Sequence, residues 1–371
     1  MSLQKNTGAV RRFAKAMRFG AWLQALPGKL TPPPFRLMQI GSAFWQSRAL
    51  YVAVRLDIAT QLGDAELSAA KIAERVAAHA DAVARLMRLL VAMGIFAEVA
   101  PQVYRNNKLS RYLRADYRQN VRAMILMHNA EAMSRPWFEQ LEQGIRSGTP
   151  PFCLSHGEEL FAFLDRHPGD DRLFSEAMDC VEALVGDSFA RDVDWGRFTR
   201  IIDVGGSRGS KSLAILKRYP QLQALVVDRP QVVAEAAAYW ATQPVAGSER
   251  LRFQAGDLFG ADLPAAAGEG DIYLLSAVLH AFNDAMACQA LSNLAAAIGR
   301  SGARIALMEL VLPETWTDLA GASFDMQMFM GTHGRERTLS EWSRLIHAAG
   351  LRLEEVVGLQ QLGSVLVLQA A

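Results

Sequence analysis

The run Arg200-Ile201-Ile202-Asp203-Val204-Gly205-Gly206-Ser207-Arg208-Gly209-Ser210 holds the residue types that bind a nucleotide-like ligand. Apolar residues lead into an acid, then a glycine-dense turn, then the apolar-periodic Leu213, Ile215 and Leu216. That order predicts a buried strand, a tight loop and a helix start. Glycines let the backbone approach a ligand, and the first N–H groups of a helix are left unpaired. The spacing departs from the dinucleotide fingerprint G-x-G-x-x-G, because the acid Asp203 precedes Gly205 by two and Ser207 stands between Gly205 and Gly209. A turn of this composition can also be purely structural, so the acids downstream decide the reading. Asp228 closes the strand-like run 222–228, about 25 residues on, where an acid is placed to accept hydrogen bonds from ribose hydroxyls.

The elements that must position these groups are legible as a series. The runs 253–259, with Gly256-Asp257-Leu258, and 271–276, ending in Ser276, are two more strands. They alternate with helical segments at 232–240 and 285–298. Such alternation predicts an α/β fold, a parallel sheet with helices on both faces. Ligands in such sheets bind beyond the carboxyl ends of the strands. Asp203, Asp228, Asp257 and the segment after Ser276 are expected on that edge.

These residues carry a resemblance. The chain is similar to the small-molecule O-methyltransferases that join an N-terminal winged-helix dimerisation domain to a Rossmann-like domain. It is similar in particular to bacterial members that methylate phenazines, polyketides and other aromatic metabolites. The matching blocks are Asp203-Val204-Gly205-Gly206, Val227-Asp228-Arg229-Pro230, Gly256-Asp257-Leu258-Phe259 and Asp271-Ile272-Tyr273-Leu274-Leu275 through Leu279-His280. Two more follow, Glu309-Leu310-Val311-Leu312-Pro313 and Gly334-Arg335-Glu336-Arg337-Thr338. With an upstream match, the resemblance runs from about Ser42 to the end.

The resemblance implies S-adenosylmethionine as methyl donor, S-adenosylhomocysteine as product, and no metal. Asp203, Gly205, Ser207, Asp228, Asp257, Leu258 and Ser276 are the expected cofactor residues. A lone histidine after an apolar strand is more often a satisfied structural residue, but in this family the histidine at the place of His280 is the general base. A phenol is a better nucleophile once deprotonated, and an imidazole with a pKa near ~6.5 can take that proton. Glu309 and Glu336 match the glutamates that flank the base. Their alternatives are a strand-end carboxylate for Glu309, and for Glu336 a turn charge paired with Arg335 or Arg337. Acceptor walls are expected from Trp137, Phe174, Met178, Phe324, Gln327, Met328 and Met330, since thioethers and aromatics suit a flat apolar acceptor. At their spacing, Phe324, Met328 and Met330 can equally be helix core.

The chain departs from the family at several positions. Ala281 stands where the histidine is usually followed by an acid, Ser276 where plant members carry lysine, and Ser207-Arg208 where a glycine and a small residue are usual. Arg208 could pair with the cofactor's carboxylate or point to solvent.

Upstream, Phe44, Trp45, Leu50, Tyr51, Val54 and Leu56 recur at helical spacing, and 71–76 and 81–90 predict further helices, the latter N-capped by Asp81. The segments 94–99 and 102–105 predict a hairpin wing. A winged helix can bind DNA, but Arg85 and Arg88 share their helix with Asp81 and many apolar residues, unlike a clustered basic reading face. No nucleic-acid partner is expected. Basic residues recur from Lys5 to Arg48, and the first acid is Asp57. Arg11, Lys15 and Arg18 share a helical face, so this stretch suits either an anionic membrane or an arm that caps a partner subunit. The arm is the preferred reading. The expected organisation is a basic arm with a Pro-rich linker (1–38), a dimerisation domain (39–120), a helical connector lining the cleft (121–198) and a Rossmann-like catalytic domain (199–371).

The 371 residues exceed one usual core, and a formal net charge of +1 argues against strong polyanion binding. Three widely spaced cysteines indicate neither a disulfide framework nor a zinc site. No apolar run spans a membrane and no secretory signal is visible, so a cytoplasmic homodimer acting on a small aromatic substrate is expected. Three other functions remain open: N-methylation of a heteroaromatic; a relative that binds the cofactor yet catalyses hydroxylation, decarboxylation or a pericyclic step; and a cofactor-sensing regulator on DNA.

Overall fold

The computed structural model describes residue 4 and residues 8–260, 263–360 and 363–371. It divides into two compact units, Trp22–Gly186 and Met1–Ala21 with Asp187–Ala371.

In the first unit, the helices Ala43–Arg55, Ile58–Leu62, Ala69–Arg75 and Ala80–Ala92 accompany a small antiparallel sheet. Its strands are β1 (Leu67–Ser68), β2 (Phe96–Ala100) and β3 (Val103–Asn106), in the order β1-β3-β2. Ile58, Leu62, Ile72, Met87, Leu90, Phe96 and Tyr104 close its core. The winged helix and its hairpin are therefore present, with two local corrections. Asp81 is not the N-cap: His79 holds that position, and Asp81 sits in the first turn with its carboxylate 2.8 Å from Arg85. A carboxylate there still favours the helix, through the positive end of its dipole. The Pro-rich stretch is not a linker either, because Pro33 and Pro34 open the helix Pro33–Gly41. The first helical positions need no N–H partner, so proline fits them. The connector 121–198 is divided: its helices up to Val185 belong to this unit, the boundary falls after Gly186, and the helix Ser188–Asp192 lies in the other unit.

The second unit is built on a seven-stranded sheet. Its strands are β4 (Arg200–Val204), β5 (Gln223–Asp228), β6 (Leu251–Ala255), β7 (Asp271–Ser276) and β8 (Arg304–Glu309), then β11 (Leu351–Gly358) and β12 (Ser364–Ala370). Between them in sequence lie the short β9 (Val311–Leu312) and β10 (Arg337–Thr338). The order is β11-β12-β8-β7-β4-β5-β6; β4 to β8 run parallel, and β12 is antiparallel to both its neighbours. Successive residues of a strand face opposite sides. Ile201 and Leu274 join one buried cluster with Leu213 and Leu216 of the helix Ser210–Arg218. Ile202, Tyr273 and Leu275 join the other, with Leu291 and Leu294 of the helix Asp284–Ile298 and Trp342 of Leu339–Ala348. The sheet is buried on both faces, as the apolar strands require. In the basic N-terminal stretch, Gln4 bridges to Val356 and Val10 is buried, so the described residues before Trp22 belong to this unit.

Candidate active site

The carboxyl edge of the parallel strands gathers one group from each. β4 runs into the loop Gly205–Gly209, β5 ends at Asp228, β6 leads to Asp257, β7 ends at Ser276 and β8 at Glu309.

The loop after β4 turns through left-handed backbone at Gly205 (φ +73°), Ser207 (+51°) and Gly209 (+74°). Glycine meets that need at two of the three positions; Ser207 holds the same conformation at a cost of roughly 1–2 kcal/mol. Gly206 answers a different need, because a Cβ there would stand 2.5 Å from the Asp203 carboxyl carbon. Asp203 is thus packed under the loop, with Oδ2 accepting a 2.7 Å hydrogen bond from the Ser212 hydroxyl. Asp228 ties the loop from the neighbouring strand: Oδ2 accepts from the Ser207 N–H at 2.9 Å and Oδ1 from the Arg229 N–H at 2.8 Å. Each carboxylate oxygen can accept a second bond. Asp257 folds its own turn, accepting from the Phe259 N–H at 2.9 Å, and Leu258 packs against the core. Arg208 lies 4.8 Å over the Tyr239 ring, and its carbonyl accepts from the Trp240 indole at 2.7 Å.

Beyond β7 the chain makes a tight turn, Leu279–Ala281, which carries His280. Glu309 reaches it from the end of β8, with Oε1 accepting from the Leu279 N–H at 3.0 Å and the Val278 N–H at 3.2 Å. Glu336 reaches it as well, with Oε1 2.7 Å from His280 Nδ1. The two glutamates are brought together by the parallel pairing of β9 with β10, in which Arg337 stands beside Val311. Glu309 lies two residues before Val311 and Glu336 one residue before Arg337. The Glu336 N–H is itself held by Asp325 Oδ1 at 2.8 Å. One ligand-type atom from each of His280, Glu309 and Glu336 lies within 4.8 Å of the others.

The electrostatics follow from burial. Glu309 is almost fully buried and its carboxyl is pushed up to about 6 by loss of water. Burial alone would lower the His280 pKa; the hydrogen bond that Glu336 accepts from it and the charges of Glu309 and Glu336 outweigh it and raise the imidazole above its ordinary value. With Nδ1 donating to a carboxylate, Nε2 carries the lone pair. The turn-charge alternative for Glu336 falls away, since Arg335 pairs with Glu341 at 2.8 Å and Arg337 with Asp284 at 2.9 Å.

Sequence reasoning passed over Gly334, Asp325, Ser212 and the role of Arg337. A Cβ on Gly334 would overlap the His280 carbonyl oxygen, so only glycine lets this loop close on the histidine turn. Of the expected walls, Phe324 lies beside the site, its ring 5.8 Å from that of His280. Gln327 and Met328 are half-buried on the same helix, Leu319–Gly331, whereas Met330 is 1% exposed and belongs to the core. Trp137, on Glu131–Glu139, and Phe174 and Met178, on Pro168–Val185, lie in the other unit.

The model of the O-methyltransferase domain family matches residues 138–352, and that of the O-methyltransferase dimerisation domain matches residues 38–116. The chain belongs to the O-methyltransferase family. This methyltransferase is 30% identical over 321 residues to a phenazine O-methyltransferase of Lysobacter antibioticus, covering 86% of this chain and 92% of the relative. It is 31% identical over 323 residues to a phenazine-1-carboxylate N-methyltransferase of Pseudomonas aeruginosa, covering 87% and 93%. An O-methyltransferase from neocarzinostatin biosynthesis, solved with S-adenosylmethionine and 2-hydroxy-5-methyl naphthoic acid, superposes with a TM-score of 0.73 at 30% identity, covering 88% and 96%. The protein is an S-adenosylmethionine-dependent methyltransferase of the aromatic secondary-metabolite group. The strand-edge loop fits that cofactor: without a Cβ at Gly205 and Gly206 its backbone packs tightly onto Val278 and Asp203, and a carboxylate stands at the end of β5. No described helix is long and apolar enough to cross a membrane.

Proposed function

We propose that this enzyme methylates a hydroxyl of a small aromatic secondary metabolite, with His280 as general base. The observation that carries the reading is the 2.7 Å contact of His280 Nδ1 with Glu336. It fixes the tautomer and leaves Nε2 as the only imidazole atom able to accept a proton. The loop at 205–209 and Asp228 would hold the cofactor's ribose and amino-acid portions, with Asp257, Leu258 and Ser276 beside the adenine. Asp203 acts from beneath, bracing the loop through Ser212. S-adenosylmethionine, when bound, supplies an electrophilic methyl on a sulfonium sulfur.

The chain's own residues prepare the acceptor. His280 Nε2 takes the hydroxyl proton. Glu336 stabilises the resulting imidazolium through Nδ1, and the buried charge of Glu309 adds to that. Phe324, with Gln327 and Met328, offers an apolar wall to an aromatic ring. The reading needs no metal, so turnover should survive dialysis against EDTA. Phenazine and naphthoate O-methyltransferases among the relatives favour a fused aromatic acceptor.

His280→Ala should lower methyl transfer to phenolic acceptors by about two to four orders of magnitude, with cofactor affinity little changed. The test is radiolabelled methyl incorporation across an acceptor panel, and near-normal turnover would sink the base assignment. The N-methyltransferase among the relatives supports a second reading. A heteroaromatic nitrogen already offers its lone pair, so N-methylation would tolerate the loss of His280. Absence of label from every acceptor while the cofactor still binds would favour a non-methylating reaction. The enzyme is further proposed to act as a homodimer through the dimerisation domain. Phe35, Leu37, Met38 and Ile40 are 62–69% exposed at its edge, an apolar face a second copy would cover. A monomer in sedimentation equilibrium would refute this.

A further inference from the structure

Among the described residues of the second unit, Arg337 is the one charged side chain with no exposed surface, and its contacts converge on a single short turn. Nη1 donates to the Leu279 carbonyl at 3.1 Å and Nη2 to the Phe282 carbonyl at 2.8 Å, so the guanidinium spans the backbone on both sides of His280. Nε donates to Asp284 Oδ1 at 2.9 Å, where the helix after the turn begins, and Nη1 also meets the Arg335 carbonyl at 3.4 Å. The indole of Trp342 lies 5.0 Å from the guanidinium carbon and covers its face. The neighbouring Glu336 holds the His280 side chain. Two consecutive residues, Glu336 and Arg337 at the start of β10, therefore grip the histidine turn twice, one by its imidazole and the other by its backbone. A planar group with five N–H donors in a fixed fork can bind two carbonyls and a carboxylate at once; a lysine ammonium cannot reproduce that fork.

We propose that Arg337 is a positioning residue for His280, holding the 279–282 turn so that the imidazole meets Glu336 and presents Nε2 to the acceptor. The turn needs such a hold. It is one short turn of 3₁₀ type with backbone bonds of 3.2 Å, Ala281 to Val278 and Phe282 to Leu279. The carbonyls of Leu279 and Phe282 bond to the guanidinium. Gly334, pressed against the His280 carbonyl from the same loop, completes the contact. The catalytic consequence rests on His280 being the base; the geometric claim does not.

The test is Arg337→Lys, which keeps the positive charge near the imidazole and removes the fork. His280 is followed by NMR titration of the isotope-labelled full chain, with Glu336→Gln as reference. The expected result is that the raised His280 titration falls back toward the ordinary value and toward that of Glu336→Gln. Turnover on a phenolic acceptor should drop about tenfold or more while cofactor affinity stays within about threefold. A buried Arg with a purely structural role would lower the melting temperature and leave the His280 titration unmoved. If Arg337→Lys does not fold, Asp284→Ala takes its place: Asp284 is half-exposed, and its loss frees one corner of the fork. That variant should shift His280 in the same direction by a smaller amount. A folded variant whose His280 titrates as in the wild type overturns the proposal. Should His280→Ala retain turnover, the base assignment fails while the titration still decides the clamp.

Discussion

Replacing Gly334 by alanine tests how closely the glutamate loop must approach the histidine turn. The added Cβ would overlap the His280 carbonyl oxygen and stand 2.5 Å from the Ala281 carbonyl carbon and 2.7 Å from its Cα. Carbon atoms pack at about 3.5–4.0 Å, so the loop has to retreat by about 1 Å. Both neighbours are backbone, and neither can rotate out of the way. Glu336 lies two residues further along the loop, and its 2.7 Å contact with His280 leaves no slack for such a shift. A displacement of that size at a reacting group costs about a hundredfold in rate, and forcing a methyl into a packed site costs about 1–3 kcal/mol of stability. Gly334→Ala should therefore lower kcat about a hundredfold on a phenolic acceptor, with cofactor affinity within about threefold. Cofactor affinity should be spared because the residues proposed to hold the cofactor, the Gly205–Gly209 loop after β4 and Asp228 at the end of β5, lie on other strands. Steady-state kinetics, calorimetric titration with S-adenosylmethionine and urea unfolding measure the three quantities. The reasoning fails if a folded Gly334→Ala enzyme keeps kcat within about threefold, or if rate and cofactor affinity fall together.

Three more outcomes are expected. The His280 pKa is raised, and a base works only when neutral, so the acid limb of kcat/KM against pH should lie above ~6.5 and move to lower pH in Glu336→Gln; an unmoved limb would mean another group titrates. Glu309 titrates near 6 in the fold against 4.5 in the unfolded chain, a gap worth about 2 kcal/mol. A raised carboxyl favours the fold at pH below 4.5, and that contribution is lost as pH rises through about 6. Glu309→Gln should therefore lose less stability than the wild type between pH 4.5 and 7.5 in urea titrations, even as it loses activity; equal slopes would refute this. Ser207→Gly relieves a left-handed backbone costing about 1–2 kcal/mol, offset by about 0.5–1 kcal/mol of added chain entropy, so stability should stay level or rise slightly. A clear loss in thermal unfolding would show that the Ser207 side chain makes a stabilising contact.

How much of the site was legible depended on whether neighbours in sequence were neighbours in space. Asp203, Asp228, Asp257 and Ser276 each end or follow an apolar strand, and in a parallel sheet every such end falls on one edge. Their shared location could be inferred without coordinates. The pairing of His280 with Glu336 was reached by resemblance alone, because 56 residues and a two-stranded ribbon separate them. Met330 shows the opposite limit. It shares a helix with Phe324, yet one faces the core and the other lies beside the histidine. The chain's polarity pattern could not separate them, since this helix is apolar on both faces.

The sequence by itself determined the α/β order of the second unit, the winged helix of the first and the glycine turn that begins at Asp203, while the candidate base came from the family resemblance. These follow from periodicity, from turn chemistry and from motifs that recur in fixed order. Tertiary structure alone decided that Pro33 and Pro34 open a helix and that Gln4 and Val10 belong to the catalytic unit. It also decided that Asp203 braces the loop from below, and that Gly334 and Arg337 hold the histidine turn. The physical reason is common to these cases. A residue's burial and partners are set by chain segments tens of residues away, and no local pattern of charge or hydrophobicity encodes which carbonyl an arginine will meet.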